Sequence, residues 1–136
     1  MTGREWDAGP VITEARRWTL TLPLVAPLSL NDRHSHWATR ARQSRDLRDA
    51  VCLLARGQRI PALDRAAVRL HWEPRTARTR DGDNAAPTVK AAVDGLRDAR
   101  VLVDDDVTRV EHQPLAVHSA TGRSSRLWLV VTEVTP

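Results

Sequence analysis

The chain of 136 residues is long enough for one ordinary domain, and 41% hydrophobic residues suffice for a core. Its single cysteine, Cys52, excludes an internal disulfide and a structural zinc site built from several thiolates. No apolar run approaches the roughly 20 residues of a membrane span, and the first ten residues lack the apolar core of a signal peptide. We therefore expect a cytoplasmic protein without a membrane partner.

Hydrophobic periodicity predicts the elements in chain order. Residues 1–16 are polar and indicate a flexible tail, followed by one domain over 17–136. The predicted elements are a strand at 17–22, a helix at 38–57, a strand at 67–73, a helix at 87–99, a strand at 107–118 interrupted at Pro114, and a strand at 127–134. Gly57 suits the end of the first helix. This order predicts a single α+β domain, with a mixed β-sheet and two α-helices packed on it.

Aspartates are concentrated in one part of an otherwise basic chain. Seven of them fall between Asp81 and Asp106. Asp81 and Asp83 precede the second helix, and Asp104 and Asp105 follow it. If these carboxylates meet, their repulsion requires a cation, and an all-oxygen ligand set suits Mg²⁺ or Mn²⁺. The alternative is an Asp-rich loop with an ordinary helix N-cap.

Lys90 is the only lysine among 21 basic residues. A compact ammonium suits contact with a phosphate or with a developing charge. An exposed Lys90 paired with Asp94, one helical turn away, is the alternative interpretation.

Other chemical motifs are absent from the sequence. There is no Gly-rich phosphate loop and no dinucleotide fingerprint, so we expect no nucleotide cofactor. Cys52 follows the apolar pattern of the first helix and is expected in the core. His71, His112 and His118 have no companions at metal-ligand spacing.

Together these residues resemble the RusA family of Holliday-junction resolvases, small endodeoxyribonucleases common in phages and prophages. The resemblance covers most of residues 18–134 and includes a Pro-rich loop that ends at Asn31. Its central motif consists of Asp81-Gly82-Asp83-Asn84, Lys90, Asp94-Gly95-Leu96 and Asp104-Asp105.

The resemblance implies a RusA-like fold and a homodimer that cuts two symmetry-related strands of a four-way junction. Asp81, Asp83 and Asp105 would be catalytic and hold Mg²⁺, for which Mn²⁺ would substitute, and Asp104 would support them. Lys90 would match the catalytic lysine of the family. The expected setting is DNA recombination and repair in the cytoplasm of a bacterial or phage-infected cell. Supporting roles fall to Asn31, Asn84 and Asp94.

The basic segment over residues 1–80 is the expected DNA-contacting surface. Its candidate phosphate contacts are Arg33, Arg40, Arg42, Arg45 and Arg48, together with Arg75, Arg78 and Arg80 beside the acidic motif.

The sequence departs from the family pattern at two places. Five residues separate Asn84 from Lys90 where the pattern has two, and Arg100 replaces a glycine. We therefore expect the turn into Val101 to close without a left-handed helix end.

Two other functions remain open. One is a branched-DNA-binding protein without nuclease activity, which the insertion before Lys90 favours. The other is a metal-dependent transferase or phosphatase acting on a small phosphorylated substrate.

Overall fold

The computed structural model describes residues 15–28, 36–76, 85–103, 107–120 and 122–135. These ranges contain β1 (Arg17–Thr21), α1 (Trp37–Gly57), β2 (Ala66–Glu73), α2 (Ala86–Asp98), β3 (Val110–His112), β4 (Ala116–Val117) and β5 (Arg126–Glu133), with a 3₁₀ turn (Val107–Arg109) before β3. The predicted order of elements is confirmed. The bounds of both helices and of β1, β2 and β5 differ from the prediction by at most one residue. The tail over 1–14 lies outside the described residues.

The strands form one mixed sheet, as predicted, in the order β1-β5-β2-β3, with β4 also paired to β2. β5 runs antiparallel to both β1 and β2. β3 and β4 run parallel to β2, and α2 provides the crossover between them. Pro114 separates β3 from β4, and its carbonyl accepts a hydrogen bond from Arg69 Nε at 3.0 Å.

The core lies between one face of this sheet and the two helices. Alternate residues of β2 and β5 point into it, as the period of a strand requires. Both helices contribute their apolar faces to the same cluster, and Cys52 is buried as expected. The main contributors are Leu20, Val68, Leu70, Leu127, Leu129 and Val131 from the sheet, with Leu47, Val51, Ala92 and Leu96 from the helices.

Both helices end through an arginine in the left-handed conformation, Arg59 with φ 55° and Arg100 with φ 64°. In α2 the Arg100 N–H donates to Arg97 O, and the Val101 N–H donates to Leu96 O, both at 2.9 Å. This is the Schellman pattern. The expected absence of a left-handed end at Arg100 is therefore wrong, because the hydrogen bonds hold arginine in the conformation that glycine would adopt.

The predicted end of α1 at Gly57 is confirmed. The left-handed residue lies two positions later, at Arg59, and the Ile60 N–H closes the helix end by donating to Ala55 O at 3.1 Å.

Replacing Arg100 with glycine is expected to raise the free energy of unfolding by about 1 kcal/mol, because it removes the left-handed strain of a side-chain-bearing residue. Urea unfolding measures the change. Arg42→Gly is the matched control, since it replaces an exposed arginine inside α1 and should cost about 1 kcal/mol. A destabilised Arg100→Gly protein would contradict the explanation.

Candidate functional site

Most residues of the predicted functional site, including all four aspartates of the predicted metal site, lie outside the described residues. These are Asn31, Arg33, Arg78, Arg80, Asp81, Asp83, Asn84, Asp104 and Asp105. Their roles stay predictions from the motif. The described residues of the predicted site are Arg40, Arg42, Arg45, Arg48, Arg75, Lys90 and Asp94. Within the described ranges, no three His, Cys, Asp or Glu side chains are arranged to hold a metal ion.

Lys90 lies in the first half of α2, the helix that starts directly after the acidic motif. Its side chain is 78% exposed, and its Nζ lies 3.4 Å from Asp94 Oδ2. Asp94 makes a closer contact with Arg97, at 2.8 Å from Nη1 to Oδ1. The alternative interpretation, an exposed Lys90 paired with Asp94, is what the structure shows, although the pair is long. Since Asp94 is held mainly by Arg97, the Lys90 ammonium remains available to a ligand.

The Pro-rich loop and the lysine helix meet in the described structure. The Leu28 N–H donates to Thr88 Oγ1 at 2.7 Å, and Thr88 is completely buried. This contact fixes the start of the loop against α2, two residues before Lys90. Two parts of the predicted motif that are 60 residues apart in sequence are thereby brought together.

A groove of about 540 Å³ runs between α1 and α2 beside Lys90. Its cations are Arg45, Arg48 and Lys90, and Asp94 is also on its wall. The Arg48 guanidinium forms two hydrogen bonds to Asp98, at 2.6 and 2.7 Å. These bonds raise the pKa of Arg48 and lower the pKa of Asp98. The charge of Arg48 is therefore balanced by Asp98, which leaves Arg45 and Lys90 as the other cations that line the groove.

The other described arginines lie elsewhere. Arg42 is exposed and follows Ala41, which lines the groove, so it points about 100° away around α1. Arg40 is half-buried on α1 and is not part of the groove lining. Arg75 is exposed after the end of β2. The structure thus brings Lys90 and Asp94 together with Arg45, rather than with Arg40, Arg42 or Arg75.

Comparison with known proteins finds no matching family model and no matching curated protein. The RusA resemblance therefore remains a prediction from the motif. In the described part of the chain, neither helix has the length and apolar character needed to cross a membrane.

The outer face of the sheet carries a ring cluster that the sequence did not reveal. His71 Nδ1 lies 2.9 Å from His118 Nε2, and both rings lie within 5.4 Å of the Trp128 ring, centroid to centroid. Sequence spacing does not indicate this pair, because His118 reaches His71 only through the pairing of β4 with β2. The Arg126 guanidinium lies 5.2 Å from the centre of the Trp128 ring.

This cluster predicts a stability change in mild acid. Burial, followed by the charges of His118 and Arg69, lowers the pKa of His71 below its ordinary value of 6.5. The unfolded chain therefore takes up a proton at a higher pH than the folded chain does. Stability is fully present above pH 6.5 and falls as the pH drops toward the folded-state pKa.

Melting temperatures measured from pH 8 to pH 5 test this expectation, and His71→Gln should flatten the decline. Arg126, whose guanidinium lies over the Trp128 ring, and its ion-pair partner Glu73 are the charged groups on the same face of the sheet. If the melting temperature of His71→Gln falls with pH as steeply as that of wild type, His71 is not the source of the acid sensitivity.

Proposed function

We propose that the chain is a Mg²⁺-dependent, structure-selective endodeoxyribonuclease that hydrolyses phosphodiester bonds in four-way junctions or related branched DNA. The observation that carries the proposal is the placement of Lys90, 78% exposed on the helix that directly follows the Asp81–Asn84 motif, beside a cationic groove. An exposed ammonium that follows an acidic motif in the chain suits phosphoryl chemistry, in which charge develops on phosphate oxygens.

The proposed donor set fits the proposed cation. Asp81, Asp83 and Asp105 offer only carboxylate oxygens, the ligands that Mg²⁺ prefers, and Asp104 adds negative charge beside them. Bound Mg²⁺ would lower the pKa of a water ligand and would offset the negative charge of the scissile phosphate. Lys90 would stabilise the negative charge that develops on the phosphate oxygens during hydrolysis.

Two exposed cations would contact the DNA backbone, one of them beside Lys90. Arg45 faces the same groove as Lys90, and Arg75 follows β2 at the surface. The formal net charge of +4 adds a general attraction for DNA. Because phosphate contacts release counterions, the affinity for DNA should fall steeply as salt rises.

A synthetic four-way junction, incubated with Mg²⁺ and separately with chelator, tests the proposal. The proposed function requires nicks that appear with Mg²⁺ and disappear with chelator, and an inactive Asp83→Asn variant. Salt-sensitive binding without nicking would instead support the branched-DNA-binding protein. Hydrolysis of a small phosphomonoester without DNA affinity would support the transferase or phosphatase.

We also propose a two-fold homodimer acting in the cytoplasm of a bacterial or phage-infected cell. Two-fold symmetry would present two equivalent sites to the two equivalent strands of a junction. Light scattering of the purified protein, alone and with the junction, measures the number of chains.

A further inference from the structure

Trp37 is a large apolar side chain left in solvent at the start of α1. It is 69% exposed, although a tryptophan is normally placed where its ring is covered. Trp37 is the first residue of a capped helix, because His36 Nδ1 accepts a hydrogen bond from the Ala38 N–H at 3.2 Å. The His36 ring also lies 5.6 Å from the Trp37 ring. The indole is thus an exposed side chain on an ordered element.

Helical spacing places Trp37 in line with the cationic groove. Ala41, Ser44 and Arg48 line that groove, and Trp37 is separated from them by 4, 7 and 11 residues. Residues at these intervals share one face of a helix. Trp37 is not part of the groove lining, and this spacing places it beyond the Ala41 end of the groove, about 12 Å along the helix axis from Arg45.

This combination fits one kind of ligand. A chain of phosphates would contact Arg45 and Lys90, while an aromatic base would stack on the indole about 12 Å away. Bases inside a duplex are already stacked on their neighbours and cannot present a face to Trp37. A base at a branch point can be unstacked, and stacking on an aromatic side chain then contributes substantially to binding.

We propose that Trp37 stacks on an unstacked base of branched DNA, and that this contact gives the protein its preference for branched over linear DNA. The inference rests on the proposed DNA-directed function and adds a specificity-determining residue to it. The cations of the groove hold the backbone of any DNA, whereas the indole recognises the disrupted stack.

Equilibrium binding in chelator tests the proposal without any cleavage. The probes are a synthetic four-way junction with 2-aminopurine at the branch point and a linear duplex of matched sequence. Trp37→Ala should weaken junction binding about 10- to 100-fold, leave duplex binding within about twofold, and abolish the quenching of 2-aminopurine. Trp37→Phe, which retains an aromatic ring, should restore part of the preference.

Leu53→Ala is the matched control. Leu53 is 68% exposed on the same helix, but it lies about 160° around the helix axis from Trp37, so its replacement should change neither affinity. Equal losses for junction and duplex in Trp37→Ala would overturn the proposal, as would no loss at all. Conversion of a dimer to a monomer by Trp37→Ala would also overturn it, by showing that a second copy of the chain covers the indole.

These outcomes separate this inference from the proposed nuclease activity. Junction preference that depends on Trp37, without Mg²⁺-dependent nicking, would sustain the stacking role and reject the nuclease. Mg²⁺-dependent nicking by wild type, with unchanged junction preference in Trp37→Ala, would support the nuclease and reject the stacking role of Trp37.

Discussion

Replacing Lys90 with alanine is expected to reduce the rate of junction nicking about 100- to 1,000-fold, the usual cost of removing a group that stabilises developing charge. The nicking rate should fall without a comparable fall in the free energy of unfolding. Lys90 is 78% exposed, and its pair with Asp94 spans 3.4 Å. Exposed pairs of this kind contribute between about 0 and 1 kcal/mol to stability.

Single-turnover nicking of the junction measures the effect, with unfolding curves as the check on folding. Unfolding of Asp94→Asn, which removes the carboxylate from both Lys90 and Arg97, sets an upper bound on the stability that the Lys90 pair contributes. Lys90→Arg should retain DNA binding and lose part of the rate, since a planar guanidinium does not reproduce a compact ammonium. If Lys90→Ala nicks as fast as wild type while Asp83→Asn is inactive, the proposed role of Lys90 is wrong.

Replacing Gly95 with alanine is expected to destabilise the fold by about 2 kcal/mol, as overpacking of a tight contact does. Gly95 lies where α2 crosses α1. An added Cβ would press on the Arg48 carbonyl oxygen and would lie 2.9 Å from Val51 Cβ and 3.2 Å from Cys52 N. The gain in helix propensity from glycine to alanine is only about 1 kcal/mol. The clash outweighs this gain, because backbone atoms can yield only if the helices separate.

Chemical unfolding of Gly95→Ala measures this loss. Gly57→Ala is the matched control, because nothing lies within 4 Å of an added Cβ at that position. We expect Gly57→Ala to be as stable as wild type or slightly more stable. Equal stability of Gly95→Ala and Gly57→Ala would show that the two helices tolerate a wider separation.

The elements of this fold follow closely from local sequence pattern. In α1, Leu47 and Val51 repeat at the helical interval, and in β2, Val68 and Leu70 repeat at the strand interval; all are buried. Such periodicity is a property of neighbouring residues, so it can be read without the tertiary structure. The left-handed conformations of Arg59 and Arg100 could not be predicted in this way, because the hydrogen bonds that close each helix set a conformation that arginine does not favour by itself.

Long-range contacts limited the prediction of the site in the same way. His71 and His118 are 47 residues apart and meet only because β4 pairs with β2. Trp37 directly precedes the helix predicted at 38–57, and only its observed place in α1 aligns it with the groove. The exposed position of Lys90 on a helix was predictable from spacing. The ligand roles of Asp81, Asp83 and Asp105 remain predictions from the motif.

Metal binding is the point on which the proposed function depends. The helix α2 separates Asp83 from Asp105 in the chain, and its 13 residues extend about 18 Å from first to last Cα. A shared cation therefore requires the chain after Val103 to approach the start of α2.

Anomalous diffraction from crystals soaked in Mn²⁺ locates the cation directly. We expect one peak per chain, bonded to carboxylate oxygens of Asp81, Asp83 and Asp105 and next to the Lys90 ammonium, and no peak in Asp83→Asn. A Mn²⁺ peak elsewhere on the chain, or carboxylates that remain at opposite ends of α2 with no bound ion, would contradict the proposed metal-dependent nuclease.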